Sequence, residues 1–125
     1  MELHTVLLIT LLTLLAVAAA LLFSYNYTTY SPYRITPEEA KRRIKANPAT
    51  IVLDTRTELE RDVLGYYEGS VNISPEIVAL RYMDKKTPVI AYCNTGHRAR
   101  HATATLQGMG FTNAAYIATT YKSLV

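Results

Sequence analysis

Pro88-Val89-Ile90-Ala91-Tyr92-Cys93-Asn94-Thr95-Gly96-His97-Arg98-Ala99 is the stretch from which the fold can be read. Its first five residues are a short apolar run, which predicts a central, buried strand. Arg98 to Met109 is rich in Ala and predicts a helix that ends at Gly108 or Gly110. The turn between such a strand and such a helix is the ligand end of an open α/β sheet. The single cysteine of the chain, Cys93, is the first residue of that turn. Backbone N–H groups of a tight loop can converge on one point, and a helix N-terminus adds positive potential. Gly96 lets the loop turn where other residues resist, and Arg98 brings bidentate donors for an oxyanion. This setting favours a thiolate and makes Cys93 a candidate nucleophile; the competing reading is a small buried hydrophobe. His97 is open to three roles: tuning the thiolate, binding substrate or facing solvent. His97 and His101 stand at i, i+4, but no third ligand has suitable spacing, so neither a metal nor a cofactor is expected.

Working outward, strands and helices alternate. Thr36-Pro37-Glu38-Glu39 predicts a helix start with Thr36 as N-cap, Pro37 at N1 and Glu39 closing a capping box. That helix should run to about Ala46, where Asn47-Pro48 stops it. Thr50 to Leu53, ending in Asp54, reads as a buried strand. Glu58 to Leu64 reads as a short helix closed by Gly65, Ser70 to Ile73 as a second short strand, and Pro75 to Tyr82 as a helical turn. Ala114 to Ile117 is the last strand. Continuous apolar strands separated by helices predict an α/β fold, an open parallel sheet with helices on both faces.

The first part of the chain is different. Half of all residues are hydrophobic, and most of the excess lies before residue 24. Residues 3–23 hold no charge and are long enough to cross about 30 Å of hydrocarbon as one helix. Tyr25, Tyr27, Tyr30 and Tyr33 follow as an aromatic belt. A retained single-pass transmembrane helix is favoured over a cleaved signal peptide, because no Lys or Arg precedes the run. All 13 Lys and Arg lie from Arg34 onward, and Glu2 is the one acid before it. Positive-inside then places the C-terminal part on the cytoplasmic side; signal cleavage would instead give a secreted or periplasmic protein. The division expected is 1–24 anchor or signal, 25–33 Tyr-rich juxtamembrane linker, and 34–125 the folded domain. The composition excludes a disordered chain and a disulfide-stapled miniprotein. The modest, interleaved charge argues against a nucleic-acid partner.

Three stretches resemble the rhodanese family, in the family's order. Cys93-Asn94-Thr95-Gly96-His97-Arg98 is similar to its six-residue active-site loop. Ile51-Val52-Leu53-Asp54-Thr55-Arg56 resembles its strand ending in Asp-x-Arg. Gly65-Tyr66-Tyr67-Glu68-Gly69-Ser70-Val71-Asn72-Ile73 resembles its Gly-His-Ile-Pro-Gly-Ala-x-Asn-Ile segment. The sequence departs from the family at Tyr66 (a His there), at Glu68 (a Pro), at Thr119-Thr120 (a Gly-Gly) and at Leu124 (a Trp).

The resemblance implies a rhodanese-like sulfurtransferase. Cys93 would take a sulfur atom from a donor such as thiosulfate and carry it as a persulfide. The loop Asn94, Thr95, Gly96, His97, Arg98 and Ala99 would cradle it, with Arg98 on the leaving group, and a thiol or cyanide acceptor would then remove it. Asp54 and Arg56 are expected to support the loop structurally. A related phosphatase loop is one residue longer, and the shorter loop here suits sulfur better than phosphate. The alternative is a non-catalytic docking module or accessory subunit of a membrane protein complex.

Overall fold

Val89–Tyr92 forms β2, the central strand of a three-stranded parallel sheet in the computed structural model, which describes residues 2–125. It lies between β1 (Ile51–Asp54) and β3 (Ala114–Tyr116). The register sets Leu53 beside Ala91 and Ala91 beside Tyr116. Among the described residues five α-helices accompany the sheet: α1 (Leu3–Thr29), α2 (Pro37–Ala46), α3 (Glu58–Leu64), α4 (Pro75–Arg81) and α5 (His97–Gly108). A short 3-10 turn, Tyr121–Leu124, follows β3.

Successive strand residues point to opposite faces, and both faces are covered. Ile51, Leu53, Val89, Ala91 and Cys93 pack with Val78 of α4 and Ala99, Ala102 and Leu106 of α5. Val52, Ile90 and Tyr92 pack on the other face with Ala40 of α2 and with Leu124. Helices on both faces explain why the strands read as continuous apolar runs.

The local signals act through identifiable bonds. Thr36 caps α2 by accepting the Glu39 N–H at 3.1 Å. The expected reciprocal arm of that capping box is not formed. The Glu39 carboxylate takes the Arg42 and Arg43 guanidinium groups, at 2.6–2.9 Å, because charged donors at i+3 and i+4 outcompete a neutral amide. Arg42 first, then Arg43, holds Glu39 down to about 2. The complete capping box is Thr57 and Glu60, at the start of α3. That helix closes at Gly65, whose φ of +81° suits glycine.

The second strand expected, Ser70 to Ile73, is reduced to one bridge between Val71 and Leu53. The ladder stops there because Asn72 turns its side-chain amide to the carbonyls of Asp54 and Arg56, and Ser74 already caps α4. Arg34 bridges Tyr116 in the same way at the opposite edge. Single bridges at both edges leave little unpaired backbone for another chain to extend.

Helix α1 is 27 residues, and its most apolar window is wholly exposed. By length and composition it can cross a membrane or serve as a signal sequence. The helix continues through Tyr25 and Tyr27 to Thr29, so most of the Tyr-rich segment is helical. Its last turn is fastened to the domain. Arg100 donates to the carbonyls of Tyr27 and Tyr30, Arg34 to that of Thr29, and the Tyr116 hydroxyl to that of Thr28 at 2.7 Å. These donors satisfy carbonyls that a helix C-terminus leaves without partners, and the two arginines complement its negative end.

Candidate functional site

The carboxyl end of β2 delivers Cys93 into the turn that starts α5. The thiol is free and 1 % exposed, and the Gly96 N–H donates to Sγ at 3.0 Å. Gly96 is the N-cap of α5 with φ +98°. A Cβ there would lie 2.7 Å from the backbone Cα of Ala118, on the segment after β3. Both the turn and this approach require glycine. We expect Gly96→Ala to lose about 1–3 kcal/mol of stability and the Sγ contact with it, checked by thermal unfolding and by the rate of Cys93 alkylation.

The other loop residues divide. Asn94 Nδ2 donates to Glu60 Oε2 at 2.9 Å. Thr95 is exposed. His97 is exposed, and its ring lies 4.6 Å from that of Tyr27 on α1. The Ala99 side chain is in the core under the sheet. Arg98 is turned to Glu60 in a bidentate pair at 2.6 and 2.8 Å, with its side chain 42 % exposed. The loop arginine is therefore already matched to a carboxylate. Arg98 first, then the Thr57 N–H, holds the Glu60 carboxyl well below the usual range.

Asp54 and Arg56 meet at the end of β1 as a fully buried bidentate pair, at 2.8–2.9 Å. Burial pushes the Asp54 carboxyl up, but its bonds to the Arg56 side chain and backbone outweigh this and bring it below the ordinary value. The Tyr92 hydroxyl donates to Asp54 at 3.0 Å, and Arg61 reaches the same oxygen at 3.3 Å. Arg56 also donates to the Gly65 carbonyl at 2.7 Å. Thr55 bonds the Tyr92 carbonyl through both its N–H and its hydroxyl. The pair thus joins the end of β1, the turn at Gly65 and the residue that precedes Cys93.

A cleft of about 580 Å³ opens beside the loop. Its walls include Thr55, Arg56, Ile73, Pro75, His97, Arg98 and Ala102, together with Tyr27 from α1. The loop borders it through His97 and Arg98 rather than through Cys93. Sequence reasoning missed Glu60 and Tyr27. Glu60 falls in the short helix expected over Glu58 to Leu64, and nothing in that reading pointed to a contact with Arg98. Tyr27 was read as part of a membrane belt.

An α/β layer with a cysteine turn at the carboxyl end of its central parallel strand defines the class of fold and site. The rhodanese-like domain family model matches residues 36–123, and the chain belongs to that family. Among solved structures, the polysulfide-sulfur transferase homodimer of Wolinella succinogenes is similar at TM-score 0.60 and 23 % identity, covering 72 % of this chain and 70 % of that one. A rhodanese-related protein from Thermoplasma volcanium has TM-score 0.57 and 22 % identity, covering 73 % and 88 %. A human single-domain sulfurtransferase has TM-score 0.53 and 21 % identity, covering 74 % and 95 %. No curated protein matches the chain.

Proposed function

We propose that this protein is a membrane-anchored sulfurtransferase that carries sulfane sulfur as a Cys93 persulfide. The observation that carries the reading is the cysteine turn itself: a buried Sγ that accepts the Gly96 N–H, at a helix start, with four residues between Cys93 and Arg98. The Cys93 thiolate attacks the outer sulfur of a donor such as thiosulfate. A new S–S bond forms, the donor's S–S bond breaks, and sulfite leaves with the electron pair. An acceptor thiol or cyanide then attacks the outer sulfur and returns Cys93 as thiolate, in ping-pong order. In this reading Asn94, Thr95, Gly96 and His97 shape the cradle. Ala99 seats the helix start in the core, and Arg98 holds the leaving group once it parts from Glu60. Asp54 and Arg56 support the loop from the end of β1. In the same reading helix α1 holds the domain at the membrane, and the basic residues from Arg34 onward favour the cytoplasmic side.

The test is mass spectrometry of the full chain, reduced and then exposed to thiosulfate. We expect one sulfur atom gained on Cys93, removed by cyanide and absent in Cys93→Ser. A folded protein that gains none overturns the reading for this donor. The existing Arg98–Glu60 pair favours a second reading, a docking module at a membrane protein complex, because it occupies the loop's anion-binding arginine. In that case Cys93→Ser leaves complex formation and function intact.

A further inference from the structure

The cleft that the cysteine loop borders through His97 and Arg98 is completed by the anchor. Tyr27 lines it and lies against His97, and the Arg100 guanidinium covers the Tyr27 ring at 4.0 Å. The junction is built rather than loose, because Arg100, Arg34 and Tyr116 bond the carbonyls of the last turn of α1 and Thr28 is buried. Height along α1 therefore sets the height of the cleft. Leu3 to Phe23 rises about 31 Å, which matches the hydrocarbon core, and Tyr27 stands about 6 Å beyond Phe23, at the headgroup level. The chemistry of the walls points the same way. Arg56 and Arg98 are each matched to a carboxylate, and Tyr27, Ile73, Pro75 and Ala102 offer aromatic and apolar surface.

We propose that Tyr27 is a specificity-determining wall of the acceptor cleft next to the Cys93 loop and that the sulfur acceptor is an amphiphilic thiol held in the membrane surface. The inference rests on the anchored-persulfide reading above. The thiol enters head first, with its apolar part along α1. Its thiolate attacks the outer sulfur of Cys93–S–SH. The new S–S bond forms on the acceptor, the bond to Cys93 breaks, and its electron pair returns to Cys93 as thiolate. The transferred sulfur keeps its proton, so no outside oxidant or reductant is needed.

The experiment uses the full chain in phosphatidylcholine vesicles, with Cys93 loaded from thiosulfate and excess donor removed. Discharge is followed by mass spectrometry with 1-decanethiol in the bilayer or glutathione in solution, at equal total concentration. We expect discharge to decanethiol to be about tenfold faster or more, and Tyr27→Ala to bring the ratio of the two rates close to one. A merely structural role for Tyr27 would lower both rates together and keep the ratio. Equal rates in the wild type, or a ratio that survives Tyr27→Ala, overturns the proposal. Because the chain has no Trp, Tyr27→Trp introduces a single indole, which is excited apart from the tyrosines. Lipids brominated near the headgroup should quench it, and absence of quenching overturns the interfacial placement whether or not Cys93 loads. A Cys93 that never loads, with quenching intact, removes the acceptor assignment together with the transfer reading and leaves the placement standing.

Discussion

Asp54→Asn lowers the melting temperature of the domain by about 15 °C or more. The change leaves the Arg56 guanidinium, 1 % exposed at its side chain, without its carboxylate. Removing one partner of a buried ion pair costs about 3–5 kcal/mol, because the remaining charge stays desolvated. In a domain of this size each kcal/mol is worth about 4–8 °C. The double variant Asp54→Asn/Arg56→Met should recover a large part of the loss, since it removes the stranded charge as well. Calorimetry of the wild type, both singles and the double variant checks this. A double variant no more stable than Asp54→Asn alone sinks the explanation.

The same pair sets an acid limb. Asp54 binds its proton less tightly when folded than when unfolded, so its stabilisation is complete above the unfolded value of 3.8 and is lost as pH falls through the lower folded one. Wild-type stability should therefore fall below about pH 4, and Asp54→Asn should lack that part of the decline.

On the proposed sulfurtransferase reading, Glu60→Gln lowers the KM for thiosulfate about tenfold, the size of one charge-assisted contact released to the substrate. Arg98 now spends both its terminal nitrogens on Glu60. Glutamine keeps the capping-box partner for Thr57, so α3 stays capped while the competing charge is gone. Because the Glu60 carboxyl is held well below its ordinary range, the clamp persists through ordinary pH, and in the proposed reaction an anionic donor has to displace it. Steady-state sulfur transfer from thiosulfate to cyanide reads the effect. An unchanged or higher KM would mean that Glu60 positions Arg98 rather than competing for it.

Much of the fold was legible because it rests on short-range physics. Apolar runs of strand length located Ile51–Asp54 and Val89–Tyr92. The expected N-cap Thr36 does bond the amide three residues on. The cysteine turn was legible because strand, glycine and helix start are contiguous in the chain. Ser70 to Ile73 failed as a strand because pairing there depends on where the Asn72 amide goes, and its partners are distant in sequence.

Four features follow from the order of residues alone: the strand–helix alternation, the loop with Cys93 at its head, the apolar segment and the family resemblance. Each of these depends on the residues' own conformational preferences or on neighbours a few positions away. Packing alone settled which carboxylate the loop arginine takes and what completes the cleft. Glu60, 38 positions from Arg98, holds the loop arginine, and Tyr27 becomes a wall of the cleft. A guanidinium pairs with whichever carboxylate the packed helices bring within about 3 Å, and that choice is made by the fold as a whole.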